Sequence, residues 1–202
     1  MHQKSVSIFL TAWFALWLLA LITWGNESVF LYFNHLFSPI PEFWKWITFL
    51  GEGWLIGILS ILVMFWKGWK QGLFLGLAPS VAGLVGQFFK RVVFPESDRP
   101  KLHFEKMHRA IQLPQHVEVH LHHSFPSGHT IGAFAFFYLL TSFVPSKSAT
   151  LFLLILASLV GFSRIFLAQH FPMDVVVGSF IGILVAEIWK RIIPQKWVVN
   201  NE

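Results

Sequence analysis

The sequence predicts an all-α bundle of six transmembrane helices with a polar site at its non-cytoplasmic face. Two observations carry this. Hydrophobic residues make up 55% of the 202-residue chain and charged residues only 12%, about half the charge of an ordinary soluble domain. The apolar residues fall into six runs, at 6–24, 47–66, 72–93, 127–144, 149–166 and 172–193, each near the ~20 residues a helix needs to cross the hydrocarbon core.

The breaks between runs are chemically distinct. Lys4 precedes the first run, as in the charged region of a signal peptide, but no small-x-small site stands before Trp24-Gly25-Asn26. The run therefore reads as a retained span. Phe43-Trp44-Lys45-Trp46 has the composition of an interfacial segment. Runs two and three part at Lys67-Gly68-Trp69-Lys70, and runs three and four across the long polar segment 94–126. Pro145-Ser146-Lys147-Ser148 and Gln169-His170-Phe171-Pro172 mark the last two breaks. Small residues pair at helical spacing (Gly72 and Gly76, Gly128 and Gly132, Ala157 and Gly161, Gly178 and Gly182), which allows close helix packing in lipid. No linker or low-complexity segment divides the chain, so residues 1–202 read as a single domain.

Six spans put both termini on one side. That side holds Lys4, Lys67, Lys70, Lys147, Lys190, Arg191 and Lys196; the other holds Lys45, Lys90, Arg91, Arg99, Lys101, Lys106, Arg109 and Arg164. The first set lies in short loops and tails, where the positive-inside rule applies, so the termini are placed in the cytoplasm. Most of the second set clusters in one segment and reads as a site. The net charge of +5 points to anionic headgroups and phosphorylated substrates rather than to nucleic acid, because the charges sit in short gaps between apolar runs. The chain has no cysteine, which excludes disulfides, thiolate nucleophiles and Cys-ligated metals.

Three polar patches share the face opposite the termini. Lys90-Arg91 and Arg99-Pro100 follow the third run, Pro126-Ser127-Gly128-His129 opens the fourth, and Ser163-Arg164, His170 and Asp174 link the fifth and sixth. Arginine forks match phosphate oxygens. Ser127 and Gly128 stand where a helix start offers free N–H groups and the positive dipole end. His170 and Asp174 are four apart, so at a helix start they share a face. A carboxylate on one imidazole nitrogen fixes the tautomer and frees the other nitrogen to attack, while His129 is suited to protonate a leaving oxygen. Singly, each element has a plainer reading as a snorkelling cation, a helix cap or a structural histidine. Their joint occurrence favours a phosphoryl-transfer site.

With these motifs the chain resembles the type 2 phosphatidic acid phosphatase family of integral membrane lipid phosphatases. Pro126-Ser127-Gly128-His129 and Ser163-Arg164 with His170 and Asp174 carry the resemblance. It implies that Lys90, Arg99 and Arg164 bind phosphate with Ser127 and Gly128. It also implies His170 as nucleophile, His129 as general acid, Asp174 as partner of His170, and catalysis without metal or other cofactor. The first motif departs from the family pattern. Eight residues separate Lys90 from Arg99 where six are usual, so Arg91 is an alternative to Lys90, and Pro95 is expected to mark a bulge that absorbs the excess.

The implied substrate is a phospholipid or isoprenoid phosphate: a polyprenyl pyrophosphate, a phosphatidylglycerol phosphate, a phosphatidic acid or a lipid A phosphate. No obligate protein partner is evident. A bacterial inner membrane with the site facing outward suits the plan. A lipid phosphotransferase using the same site, and a non-enzymatic transporter or scaffold, are the alternatives. The transporter reading would favour broken helices and mid-membrane charges, whereas this chain is expected to keep its charges at span ends. Segment 101–123 holds six histidines; His116, Glu118, His120 and His122 alternate and would share one face of a strand. Zinc binding is possible there by ligand type, against a polar loop at the membrane surface.

Overall fold

The computed structural model describes residues 2–37, 41–114, 117–194 and 197. Among them every regular element is helical: α1 (His2–Trp24), α2 (Asn26–Phe37), α3 (Pro41–Phe49), α4 (Gly53–Lys67), α5 (Trp69–Phe88), α6 (Pro100–Lys106), α7 (Gly128–Leu140), α8 (Lys147–Phe166) and α9 (Pro172–Ile192). Lys196, counted above with the basic flank, and His116 lie outside the described residues.

Gln3–Trp24, Trp69–Val93, Lys147–Phe166 and Pro172–Ile192 are each long and apolar enough to cross a bilayer. They answer the first, third, fifth and sixth runs. The second run, 47–66, is not one helix. It is broken, with α3 and α4 meeting at a 52° bend. Gly51 and Gly53, both poor helix formers, flank Glu52 at the break. The expectation that charges keep to span ends fails here, since Glu52 stands at an interruption. Counted as one span, the pair brings the total to five.

The fourth run also differs from expectation. It forms α7 and a 3-10 turn, Thr141–Phe143. At 1.5 Å rise per residue α7 covers about 20 Å, short of the ~30 Å hydrocarbon core. Its sequence is apolar all round, the pattern of a helix buried on every side, and Thr130 through Leu139 are all buried. It packs among α5, α8 and α9. The contact with α9 is backbone-close: a Cβ on Gly182 would lie 2.5 Å from Ile131 O, and one on Gly178 would lie 2.8 Å from Ser127 O. These glycines make the small-residue packing that their spacing implied.

Aromatic rings close the opposite flank. Trp13 of α1 donates to Ser179 Oγ at 3.1 Å and meets Phe162 edge-on at 5.6 Å. The α2 helix was not foreseen as an element. Val29, Phe30, Leu31 and Asn34 are its buried positions; Phe30 stacks on Phe104 of α6, and Asn34 exchanges two hydrogen bonds with the Gln112 backbone, at 2.8 and 2.9 Å. A short α6 therefore interrupts the expected loop 94–126.

Gly182→Ala is expected to destabilise the detergent-solubilised protein by about 1–3 kcal/mol, because backbone atoms cannot yield to the new methyl. Gly57→Ala, where nothing lies within 4 Å, should leave the melting temperature unchanged or slightly raised. Thermal unfolding of the two variants reads the difference.

Candidate active site

The end of α5, the start of α7, the end of α8 and the start of α9 meet around a cavity of about 440 Å³. Lys90, Arg99, Gly128, His129, Arg164 and His170 line it. The three motifs, far apart in the chain, are thus brought together.

The first motif is shaped by a π-helical turn, Phe89–Val93, at the end of α5, closed by Phe94 N donating to Phe89 O at 2.8 Å. The wider turn takes up excess length. It does so ahead of Pro95, which falls in the turn that follows, so the bulge lies earlier than expected. The π turn leaves Lys90 buried on the cavity wall and Arg91 exposed. Lys90, not Arg91, occupies the cavity, and among the described residues it has no carboxylate within ion-pair distance. Arg91 lines a neighbouring recess with His120, His122 and His123.

Arg99 immediately precedes α6, with Pro100 in the first turn where its missing N–H costs nothing. Its guanidinium is held by Nε donating to His122 O (2.9 Å) and Nη1 donating to Gln169 O and Oε1 (3.1 and 2.8 Å). Gln169 in turn donates to Glu118 O at 2.8 Å. The histidine-rich segment therefore contributes carbonyls that aim Arg99. No strand forms among its described residues, and no group of three metal-ligating side chains occurs among the described residues of the chain.

In the second motif Ser127 precedes α7 and is fully buried; its hydroxyl accepts from Thr130 Oγ1 at 2.8 Å. Gly128 opens on the cavity, and a Cβ there would meet nothing within 4 Å. The helix start presents its free N–H groups at this point. Ser127 N donates to Asp174 O at 3.0 Å, which ties the starts of α7 and α9 together.

The third motif turns back on itself: Gln169 N and His170 N both donate to Arg164 O, at 2.9 and 3.1 Å, through Ala168 at a left-handed φ of 52°. His170 precedes α9 instead of sitting on it. It reaches Asp174 across the helix start, with Nδ1 3.2 Å from Oδ2. That same Oδ2 accepts from Phe171 N at 3.0 Å and from Ser124 Oγ at 2.5 Å. A carboxylate can only accept, so Nδ1 carries the hydrogen and Nε2 keeps its lone pair. Burial, reinforced by Arg99, Lys90 and Arg164, holds the His170 imidazole well below the usual histidine range, so it is neutral near pH 7.

Sequence reasoning missed four residues. Thr48 of α3 accepts from Arg164 Nη1 at 2.7 Å, while Arg164 Nε is buried without a partner among the described residues. Glu52 meets His129 Nε2 at 2.8 Å. Ser124 and Gln169 support Asp174 and Arg99 as described. Only Glu52 carried a signal, as an acid between two glycines inside an apolar run. The others are ordinary polar residues until the fold places them.

The PAP2 superfamily profile matches residues 71–197, which contain all three motifs. The chain belongs to the PAP2 superfamily. This is a family of lipid phosphatases, and its membership with the several apolar helices makes the chain an integral membrane protein. Among solved PAP2-like structures, LpxE of Aquifex aeolicus superposes with a TM-score of 0.71 at 28% identity, covering 82% of this chain and 94% of that one. The transmembrane PAP2-type phosphatidylglycerolphosphate phosphatase of Bacillus subtilis superposes at 0.68 and 24% identity over 98% and 99% of the two chains, a likeness of fold. The bacitracin transport permease protein BcrC of Bacillus licheniformis is 40% identical over 70 residues. That match covers 35% of this chain and spans about a third of the relative, 34% of its length.

Inorganic phosphate is expected to raise the melting temperature of the wild-type protein. Lys90→Ala should weaken that binding on the order of tenfold or more, the loss of a buried charged contact. Arg91→Ala should retain it. Equal effects of the two substitutions would contradict the placement of Lys90 as the cavity cation.

Proposed function

We propose that the protein is a metal-independent membrane phosphatase that hydrolyses a lipid phosphomonoester or pyrophosphate through a phosphohistidine. The observation that carries this reading is a carboxylate-oriented histidine, His170, on a cavity lined by three buried cations, Lys90, Arg99 and Arg164.

The phosphoryl group sits between the cations, with its oxygens near the α7 start at Ser127 and Gly128. His170 Nε2 attacks phosphorus. As the N–P bond forms and the P–O bond to the leaving group breaks, the departing oxygen takes a proton from His129. The cations stabilise the charge on the equatorial oxygens. A water then attacks phosphorus, His129 accepts its proton, and the N–P bond breaks to release inorganic phosphate and restore His170. Asp174 holds the Nδ1–H tautomer throughout and stabilises the positive charge on the ring. No step draws on a metal ion or other cofactor.

Ile56, Pro79, Gly83, Gly86 and Gly132 line the cavity on its helix-bundle side. An apolar wall joined to a cationic end suits the first carbons of a lipid chain below its phosphate. The substrates that fit are those of the sequence reading: a polyprenyl pyrophosphate, a phosphatidylglycerol phosphate, a phosphatidic acid or a lipid A phosphate. The basic C-terminal flank of α9, taken as cytoplasmic, would put the site, at the opposite end of that helix, on the outer face of a bacterial inner membrane, within one domain.

Purified protein with chelator present should release inorganic phosphate from a lipid phosphate panel. His170→Ala should reduce that release by on the order of 10⁴-fold or more, as loss of a nucleophile does. Equal release by the mutant would sink the reading, and product formed only when an acceptor lipid is added would identify a phosphotransferase. The depressed His170 also sets a pH expectation. Its neutral, attacking form persists below the ~6.5 of a free imidazole, so under single-turnover conditions with saturating substrate the acid limb should fall below that value.

A further inference from the structure

We infer that Glu52 is a positioning residue for the leaving-group step, holding His129 as the protonated imidazole that donates to the departing oxygen. This rests on the reading of His129 as general acid, and extends it to the break between α3 and α4.

Glu52 directly precedes α4, beside the helix's first N–H groups, which favour a nearby negative charge. It makes no capping bond to them. Its carboxylate turns instead to His129, with Oε1 2.8 Å from Nε2, and both residues line the cavity. The backbone is built for this approach. A Cβ on Gly51 would lie 2.9 Å from His129 O and 2.6 Å from Val160 Cγ1, so only glycine lets the break lie against the start of α7. The same bend brings Thr48 onto Arg164.

The two histidines are thereby given matching support at opposite nitrogens. His170 has Asp174 on Nδ1 and offers Nε2; His129 has Glu52 on Nε2 and leaves Nδ1 without a protein partner among the described residues. The difference lies in the surroundings. Asp174 is buried with further donors from Ser124 and Phe171. Glu52 is half-exposed in the cavity with no second hydrogen-bond donor among the described residues. Burial, Arg164 and Lys90 oppose charge on this ring; the carboxylate on Nε2 favours the doubly protonated form against them, and a phosphoryl anion in the cavity would add to its side. That ring can deliver the Nδ1 proton to the leaving oxygen as the P–O bond breaks, which leaves a neutral ring with Nε2–H still on Glu52 and Nδ1 free to take water's proton in the second step.

A leaving group that is stable as an anion needs no proton, so the test compares two. Single-turnover release is measured for a long-chain alkyl phosphate and for a nitrophenyl phosphate carrying an alkyl chain of the same length, which isolates the first step from hydrolysis of the phosphoenzyme. Glu52→Ala should lower the alkyl-to-aryl rate ratio by on the order of 10², the lower range for general acid catalysis. Glu52→Gln keeps an acceptor without the charge and should fall between Ala and wild type. His129→Ala should lower the ratio at least as far. Equal loss on both substrates in both Glu52 variants, or no loss, overturns the role of Glu52 while leaving His129 standing. If His129→Ala itself fails to discriminate between the substrates, the general-acid reading fails with it.

Discussion

Three cations buried at one end of an apolar helix bundle are the constraint on which the rest of this structure depends. Isolated charge in such a place is strongly unfavourable. Lys90, Arg99 and Arg164 outnumber the two nearby carboxylates, Glu52 on the cavity wall and Asp174 behind His170, and both of those are committed to histidines. The surplus of positive charge, with donors still unspent such as Arg164 Nε, would be compensated by the phosphoryl group of the substrate proposed above. The fold keeps the cations in place by other means meanwhile: Thr48 on Arg164, Gln169 and the His122 carbonyl on Arg99, the π turn beneath Lys90.

The helix ends are shaped to serve that arrangement. α7 is short, apolar all round and enclosed by its neighbours, so its first residues lie within the bundle and not at its outer edge. Ser127 N on Asp174 O couples it to α9, and the glycines of α9 let the two backbones close. A shift of either helix would therefore move His129 and His170 together. The break between α3 and α4 has a similar effect from the other side, since one bend supplies both Thr48 and Glu52.

The segment between α5 and α7 shows how composition can mislead. Its histidines are conspicuous, yet beyond Arg99 and His120 on the cavity wall and Ser124 on Asp174 the described part supports the site through main chain. The carbonyls of Glu118, Leu121 and His122 accept from Gln169 and Arg99, and Ser124 reaches Asp174. Backbone acceptors have no residue-type signature, so nothing in the string of letters marks them.

By itself the sequence determined the membrane setting, the helical class, the three motifs and the pairing of His170 with Asp174. Each of these follows from run length, residue type or spacing within a few residues, quantities that survive without a fold. Only the tertiary structure sets Lys90 on the cavity wall and Arg91 outside that cavity, because the placement turns on one extra residue in a helical turn and on which side chain that turn buries. It alone broke the second span at Glu52, shortened the fourth, formed α6 within the expected loop and added the unforeseen α2. It alone brought Glu52 to His129 across 77 residues of chain. Such contacts depend on how close two backbones can come, and that distance is set where a glycine meets its neighbour in space, not by separation in sequence.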